Sequence, residues 1–276
     1  MFFSADNFVL TVAQAACIAL PAAGVPVALQ RLRTGAWALV LPLNIAVVVA
    51  AIALIPMTAD VLTWVALLLV PPGAALALGW AARGARPWLA LLAAPLLALA
   101  WAAPDTRAGQ TATTLLILGS AITVGRLLAA AAPLTLLKAG VIAMAAVDAY
   151  LVFSGQLEAP NSVLVAAEPG LGLPQLQSAG FGRAGLGYGD FFAAAVVGGI
   201  LAAERASQLL PALAMLVVTL AWDQLFLVYD ILPATIPPAI VLIGVELWRA
   251  GRRPSAEPGP EPEPEPERAR EALPSM

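Results

Sequence analysis

Gly185-Leu186-Gly187-Tyr188-Gly189-Asp190 runs directly into Phe191-Phe192-Ala193-Ala194-Ala195-Val196-Val197 and on to Ala203, so a glycine-rich turn delivers a carboxylate into the start of a long apolar segment. An ionisable group inside a membrane span costs several kcal/mol and marks a functional site whose partner is to be sought. The best partner is Asp148, near the end of the preceding apolar run. Composition sets the solvent for both. Of 276 residues, 61% are hydrophobic and 11% charged, whereas a soluble domain carries about 25% charged residues. With a mean hydropathy of +0.89, the chain reads as an all-α polytopic membrane protein.

Runs of roughly 20 apolar residues, the length that crosses about 30 Å of hydrocarbon as helix, occur nine times, at 7–29, 36–57, 61–82, 87–103, 111–131, 134–154, 187–204, 208–229 and 231–249. Met1 to Asn7 carries no basic segment and more spans follow, so the first run is not read as a cleaved signal. The expected organisation is one transmembrane domain over 1–253 and a tail over 254–276. In the tail, Glu-Pro alternation from Glu257 to Glu267 cannot bury apolar surface and predicts a disordered, extended segment.

Basic residues give the orientation. Arg31, Arg33, Arg83, Arg86, Arg126, Lys138, Arg205, Arg249, Arg252 and Arg253 follow odd-numbered spans or reach towards those connections, and only Arg107 and Arg183 fall on the other side. The positive-inside rule then places the amino terminus outside and the carboxyl terminus in the cytoplasm. Arg126 and Lys138 are expected to snorkel to the cytoplasmic face rather than pair with the aspartates. The longest connection, from Gln156 to about Leu186, falls outside. Its prolines and glycines predict irregular loop, with a short strand at Ser162 to Ala166.

The chain has no histidine, which removes serine–histidine hydrolysis, HExxH zinc sites and histidine-ligated haem. Its single cysteine, Cys17, cannot form an intrachain disulfide. The net charge of -3 reflects the acidic tail and does not argue for nucleic acid. Nothing calls for a metal or a cofactor. Carboxylates remain for acid–base work.

Span six runs outward with Asp148 about six residues before its end, and span seven runs inward with Asp190 just after its start. Antiparallel neighbours would hold both roughly 6 to 9 Å below the outer hydrocarbon boundary, at 1.5 Å per residue. Two carboxyls that close in a low dielectric share a proton and titrate as a pair. One then serves as base on a water while the other polarises a carbonyl.

At these residues the sequence resembles the presenilin and signal peptide peptidase family of GxGD intramembrane aspartyl proteases. Gly187-Tyr188-Gly189-Asp190 resembles the GxGD motif, and Val147-Asp148-Ala149-Tyr150 resembles the segment of the other catalytic aspartate. Pro238-Ala239-Ile240 is similar to the family's Pro-Ala-Leu motif. The resemblance covers mainly residues 134–249. It implies a nine-span fold, catalysis by Asp148 and Asp190, and transmembrane peptides cleaved in the lipid bilayer. The outside amino terminus resembles signal peptide peptidases. There are departures: Val147 stands where the family usually has tyrosine, with Tyr150 the nearest, and Tyr188 stands where leucine is usual. A literal Pro211-Ala212-Leu213 opens span eight at the opposite depth and is a decoy.

Each motif residue also has a plainer reading. Asp190 would serve as a helix cap, Asp148 as a polar contact between helices, Gly185, Gly187 and Gly189 as a turn or close-packing device, and Pro238 as an ordinary kink. On the functional reading the glycines keep the site open, and Pro233, Pro237 and Pro238 unwind the ninth helix, freeing backbone to hold a substrate strand. Asp223, beside Gln224 and at a depth like that of Asp148, is either a structural hydrogen-bond partner or a third member of a polar cavity. Two alternatives stand beside the protease reading: a proton-coupled transporter using Asp148, Asp190 and Asp223, and a prepilin-peptidase-like protease. The latter family follows its GxGD with a lysine-containing segment, where this chain has Phe191-Phe192-Ala193.

Overall fold

Apolar chain segments that must satisfy every backbone N–H and C=O without water fold as helices, and the computed structural model of this chain is 75% helical with almost no strand. It describes residues 5–23, 31, 33–55, 57–229 and 231–252. The Glu-Pro tail, Arg253 and the end of the first apolar run from residue 24, Pro26 included, lie outside the described residues. In chain order come α1 (Ala5–Ala19), α2 (Ala36–Leu54) and α3 (Met57–Leu76), which continues into a π turn at Ala77–Ala81. A 3-10 segment, Pro87–Leu92, leads into α4 (Ala93–Ala102). Then follow α5 (Arg107–Ala131), α6 (Leu134–Phe153), α7 (Glu158–Ala166), β1 (Ser178–Phe181), β2 (Ala184–Gly187), α8 (Tyr188–Ala203), α9 (Leu209–Trp222) with a 3-10 extension at Asp223–Leu227, and α10 (Ile236–Ala250).

Among the described residues, five helices are long and apolar enough to cross a membrane: α2, α3 with its π turn, α5, α6, and α9 with its extension. α1, α8 and the segment Pro87–Ala102 are apolar but shorter, and α10 has 15 residues. Apart from α7, which lies in the connection between two of the apolar runs, the described helices lie largely over those runs, and five are of full spanning length. Their outer faces identify the solvent. Leu39, Val47, Leu68, Leu69, Leu91 and Val217 are each more than half exposed, an apolar surface far larger than a soluble monomer presents.

α8 is the axis of the bundle. Every residue from Phe191 to Ala202 is buried, against α5, α1, α6 and α10. Its closest neighbours are reached through missing side chains: a Cβ on Gly199 would lie 2.5 Å from the Gly125 carbonyl oxygen on α5, and one on Gly198 would lie 2.3 Å from that of Cys17 on α1. Without hydrophobic drive between helices in lipid, such small-residue contacts let backbones approach and dispersion hold them.

Polar groups gather at the two ends of this bundle. At one end, Asp6 pairs with Arg107 at 2.8 Å and accepts from the Arg183 N–H, joining α1, α5 and the β1–β2 turn. At the other, Glu204 after α8 meets Lys138 of α6 and Arg249 of α10, and both cations also meet Glu246. Arg33 donates to the Ala132 carbonyl and Arg83 to Gln208 at this second end. Arg107 and Arg183 thus lie at the opposite end of the bundle from Arg33, Arg83, Lys138 and Arg249.

Three local expectations are corrected. Ser162 to Ala166 is not a strand but the last part of α7, where Val163 and Leu164 pack against Ile52 of α2 and Ala59 of α3; that contact outweighs the β preference of the valines. The connection is also less irregular than expected, since β1 and β2 pair antiparallel from Ser178↔Gly187 to Phe181↔Ala184. Arg126 does not snorkel: it is 6% exposed, donates to the Ala22 carbonyl and lies 5.0 Å over the Trp80 ring.

Candidate functional site

Asp190 is placed by the hairpin. The Tyr188 N–H donates to the Gln177 carbonyl at 2.9 Å, fixing where strand gives way to helix, and Asp190 sits in the first turn of α8. Its Oδ2 accepts the Gly187 N–H at 3.0 Å, so the carboxylate caps one of the helix's open donors. Its backbone carbonyl accepts from the Gln14 side chain of α1 at 3.2 Å. The capping reading of Asp190 therefore describes one of its two oxygens.

Asp148 projects from α6 into the bundle and is 7% exposed. Its Oδ2 accepts the Thr235 hydroxyl at 2.6 Å and the Thr235 N–H at 3.4 Å. Thr235 stands immediately before α10, whose positive dipole end suits a carboxylate. Pro237 and Pro238 occupy the first turn of α10, where a missing N–H leaves no bond unmade. The prolines thus start the helix rather than unwind it from within, and the irregular backbone lies just ahead of them, up to Thr235.

α6 packs on α8 and on α10, and the Asp148 and Asp190 carboxyl groups lie within electrostatic range of each other. No family model, no curated protein and no solved structure matches this chain. Three segments distant in sequence meet in the site: the Asp148 turn of α6, the glycine-rich entry to α8, and the start of α10 through Thr235. Each aspartate has one oxygen committed to a structural donor, and Oδ1 of each accepts no hydrogen bond among the described residues.

The remaining motif residues divide. Pro238 and Ala239 are buried while Ile240 is 42% exposed on the outer face of α10. Tyr150 is 65% exposed; standing two residues after Asp148, it lies about 200° around the helix and is not brought to the site. Tyr188 turns its hydroxyl to Ser120 of α5, 3.0 Å away. Gly185 and Gly189 have ordinary negative φ, and a Cβ on either would meet nothing within 4 Å; on Gly187 it would meet only Asp190 Oδ2 at 3.4 Å. Neither backbone strain nor packing requires glycine at these three positions. They leave open space beside the carboxylate.

Thr235 was missed from sequence, since a threonine among prolines looks like loop. Asp223 accepts the Asn7 side-chain amide at 2.6 Å, as its structural reading expects, and lines a cleft between α1, α9 and the start of α10 whose lining includes neither Asp148 nor Asp190. Among the described residues no cluster of potential metal ligands occurs.

Proposed function

We propose that this chain is an intramembrane aspartyl protease of the presenilin and signal peptide peptidase type, with nine spans, an outside amino terminus and Asp148 and Asp190 as its catalytic pair. The observation that carries this reading is that two carboxyls on packed neighbours α6 and α8 stand within electrostatic range of each other, each with one oxygen held by a structural donor, close to glycines whose missing side chains the packing does not require.

The chemistry that such a pair performs is peptide hydrolysis. One aspartate, ionised, takes a proton from water as the water oxygen attacks the scissile carbonyl carbon; the other, protonated, donates to the carbonyl oxygen. The resulting gem-diol returns a hydroxyl proton to the aspartate that had donated as the C=O re-forms, the amine nitrogen takes the proton the other had drawn from water, and the C–N bond breaks. One water is consumed and the pair returns to its singly protonated state. The shared proton belongs to the pair rather than to either residue.

A substrate helix must be unwound before its carbonyls are accessible. The non-helical backbone ahead of α10, which runs up to Asp148's partner Thr235, and the β1–β2 hairpin that leads into Asp190's helix would supply main-chain donors and acceptors for a strand-like peptide. The test is cleavage of a tagged transmembrane peptide by detergent-purified protein, beside Asp148→Asn and Asp190→Asn. Both variants should lose at least about a hundredfold of activity, and an aspartyl transition-state analogue should inhibit the wild type. Cleavage that persists in Asp190→Asn overturns the assignment. Proton-dependent solute flux in liposomes, lost in the same variants, would instead establish a carrier.

A further inference from the structure

The end of the bundle at which α8 and α10 finish carries six exposed arginines, Arg31, Arg33, Arg83, Arg86, Arg205 and Arg252, that make no ion pair among the described residues. Arg31 and Arg86 stand beside Arg33 and Arg83 in the chain. The two acids described at this end, Glu204 and Glu246, are already engaged by Lys138 and Arg249. Arg33 and Arg83 donate to the Ala132 carbonyl and to Gln208, and Arg252 lies 3.9 Å over the Trp248 ring, contacts that hold these side chains without neutralising them. Arg205 stands just after α8 with a φ of 53°, the left-handed conformation that usually selects glycine there. An arginine in that place carries backbone strain and presents its charge at the negative end of the helix.

The chain itself supplies an anion at the same end. The sequence after Arg252 carries Glu257, Glu261, Glu263, Glu265, Glu267 and Glu271 against Arg253, Arg268 and Arg270. Prolines alternate with the glutamates from Glu261 to Glu267, and each lacks an N–H, so the stretch presents mostly acceptors to guanidinium groups that only donate. At about 3.1 Å per residue for a proline-rich chain, Glu257 reaches about 15 Å from Arg252 and Glu267 about 47 Å. That crosses several helices packed about 8–10 Å apart. Single exposed ion pairs are weak, but a tethered segment meets its site at an effective concentration of about millimolar, so several act together.

We propose that the segment from Glu257 to Glu267 docks on the arginine face formed by Arg31, Arg86, Arg205 and Arg252, as an intramolecular anion that shields it. Anionic lipid headgroups, the other chemistry that such a face attracts, compete with the segment for the same arginines. Docking therefore sets whether this end of the bundle recruits anionic lipid or turns it away. The proposal stands independently of the protease reading, since it engages the end of the bundle remote from the aspartates.

Zero-length carbodiimide coupling, which joins amines to carboxylates in contact, tests this on the full chain. Lys138 is the only lysine, so Arg205→Lys and, separately, Arg86→Lys each add one side-chain amine at unchanged charge. Coupling of Lys138 to its partner Glu204 reports that the bundle is folded. In phosphatidylcholine bicelles at about 20 mM salt, both variants should couple to glutamates of the segment within one chain, as mapped by mass spectrometry. Salt at about 0.5 M, which cuts the screening length from about 20 Å to about 4 Å, should lower the yield about tenfold, and phosphatidylglycerol in place of part of the phosphatidylcholine should lower it too. Arg183→Lys, at the opposite end, should not couple to the segment. No coupling from either variant while Lys138 still couples to Glu204, equal coupling from Arg183→Lys, a yield indifferent to salt, or coupling found only between chains would each overturn the proposal. If the segment stays uncoupled and phosphatidylglycerol remains bound through purification to the wild type but not to a protein with both Arg86→Gln and Arg205→Gln, lipid headgroups are the occupant instead. Peptide cleavage bears on none of these outcomes, so the two readings stand or fall separately.

Discussion

Thr235 holds Asp148 by two donors on a single oxygen, which fixes the carboxyl plane and leaves Oδ1 for chemistry. Hydrogen bonds to charged groups contribute about 1.5–3 kcal/mol, so Thr235→Val, which keeps the shape and removes the hydroxyl, should lower stability by about that amount. If Thr235 positions the aspartate, cleavage should fall in Thr235→Val and return in Thr235→Ser, measured on detergent-purified protein at a common temperature below both melting points. A purely structural threonine would lose stability without the serine rescue of activity. The aspartates themselves were legible in the sequence, because a carboxylate within an apolar run has no inexpensive explanation. Thr235 was not, since its role exists only through a contact 87 residues away.

At the scale of the element, α8 contrasts two kinds of glycine. Gly199 lies where a Cβ would come 2.5 Å from the Gly125 carbonyl oxygen, so Gly199→Leu must push α5 away from α8 and should cost at least about 1–3 kcal/mol as overpacking, seen as a lower melting temperature in detergent. Gly189 has open space around its Cα, and alanine there should be neutral or stabilising by up to about 1 kcal/mol, the ordinary helix preference. Cleavage should nevertheless drop in Gly189→Ala, because the methyl enters the space beside Asp190. Unchanged activity in a stably folded Gly189→Ala would count against substrate or water using that space. The helical runs were readable because hydrophobic length is a strong signal. The β1–β2 hairpin was not, since Ser178-Ala179-Gly180-Phe181 and Ala184-Gly185-Leu186-Gly187 lack the β-branched alternation that announces strands; the glycine opening its two-residue turn, Gly182, was the available clue. α7 was misread for the opposite reason, its valines suggesting a strand that packing against α2 and α3 overrules.

Across the whole molecule, the helices that carry the site are tied at the end remote from it. Lys138, Glu204, Glu246 and Arg249 join the start of α6, the end of α8 and the end of α10, the same three helices that present Asp148, Asp190 and Thr235 at the other end. In the sequence these charges looked like ordinary interfacial residues flanking spans, and only folding brings them together. Exposed ion pairs contribute about 0–1 kcal/mol and buried ones several times more when one partner is removed. Glu204 has a side chain 20% exposed against 40% for Glu246, so it is the less screened of the two acids. Glu204→Gln should therefore lower the melting temperature more than Glu246→Gln, and high salt should narrow the difference between Glu246→Gln and wild type more than that for Glu204→Gln. Because the cluster holds α6, α8 and α10 at their far ends, its weakening should also reduce cleavage in proportion to the lost stability, without the complete loss expected of the aspartate variants. A Glu204→Gln protein that melts like wild type would mean that the glycine-mediated contacts of α8 alone fix these helices, and that the aspartates are aligned by packing rather than by charge.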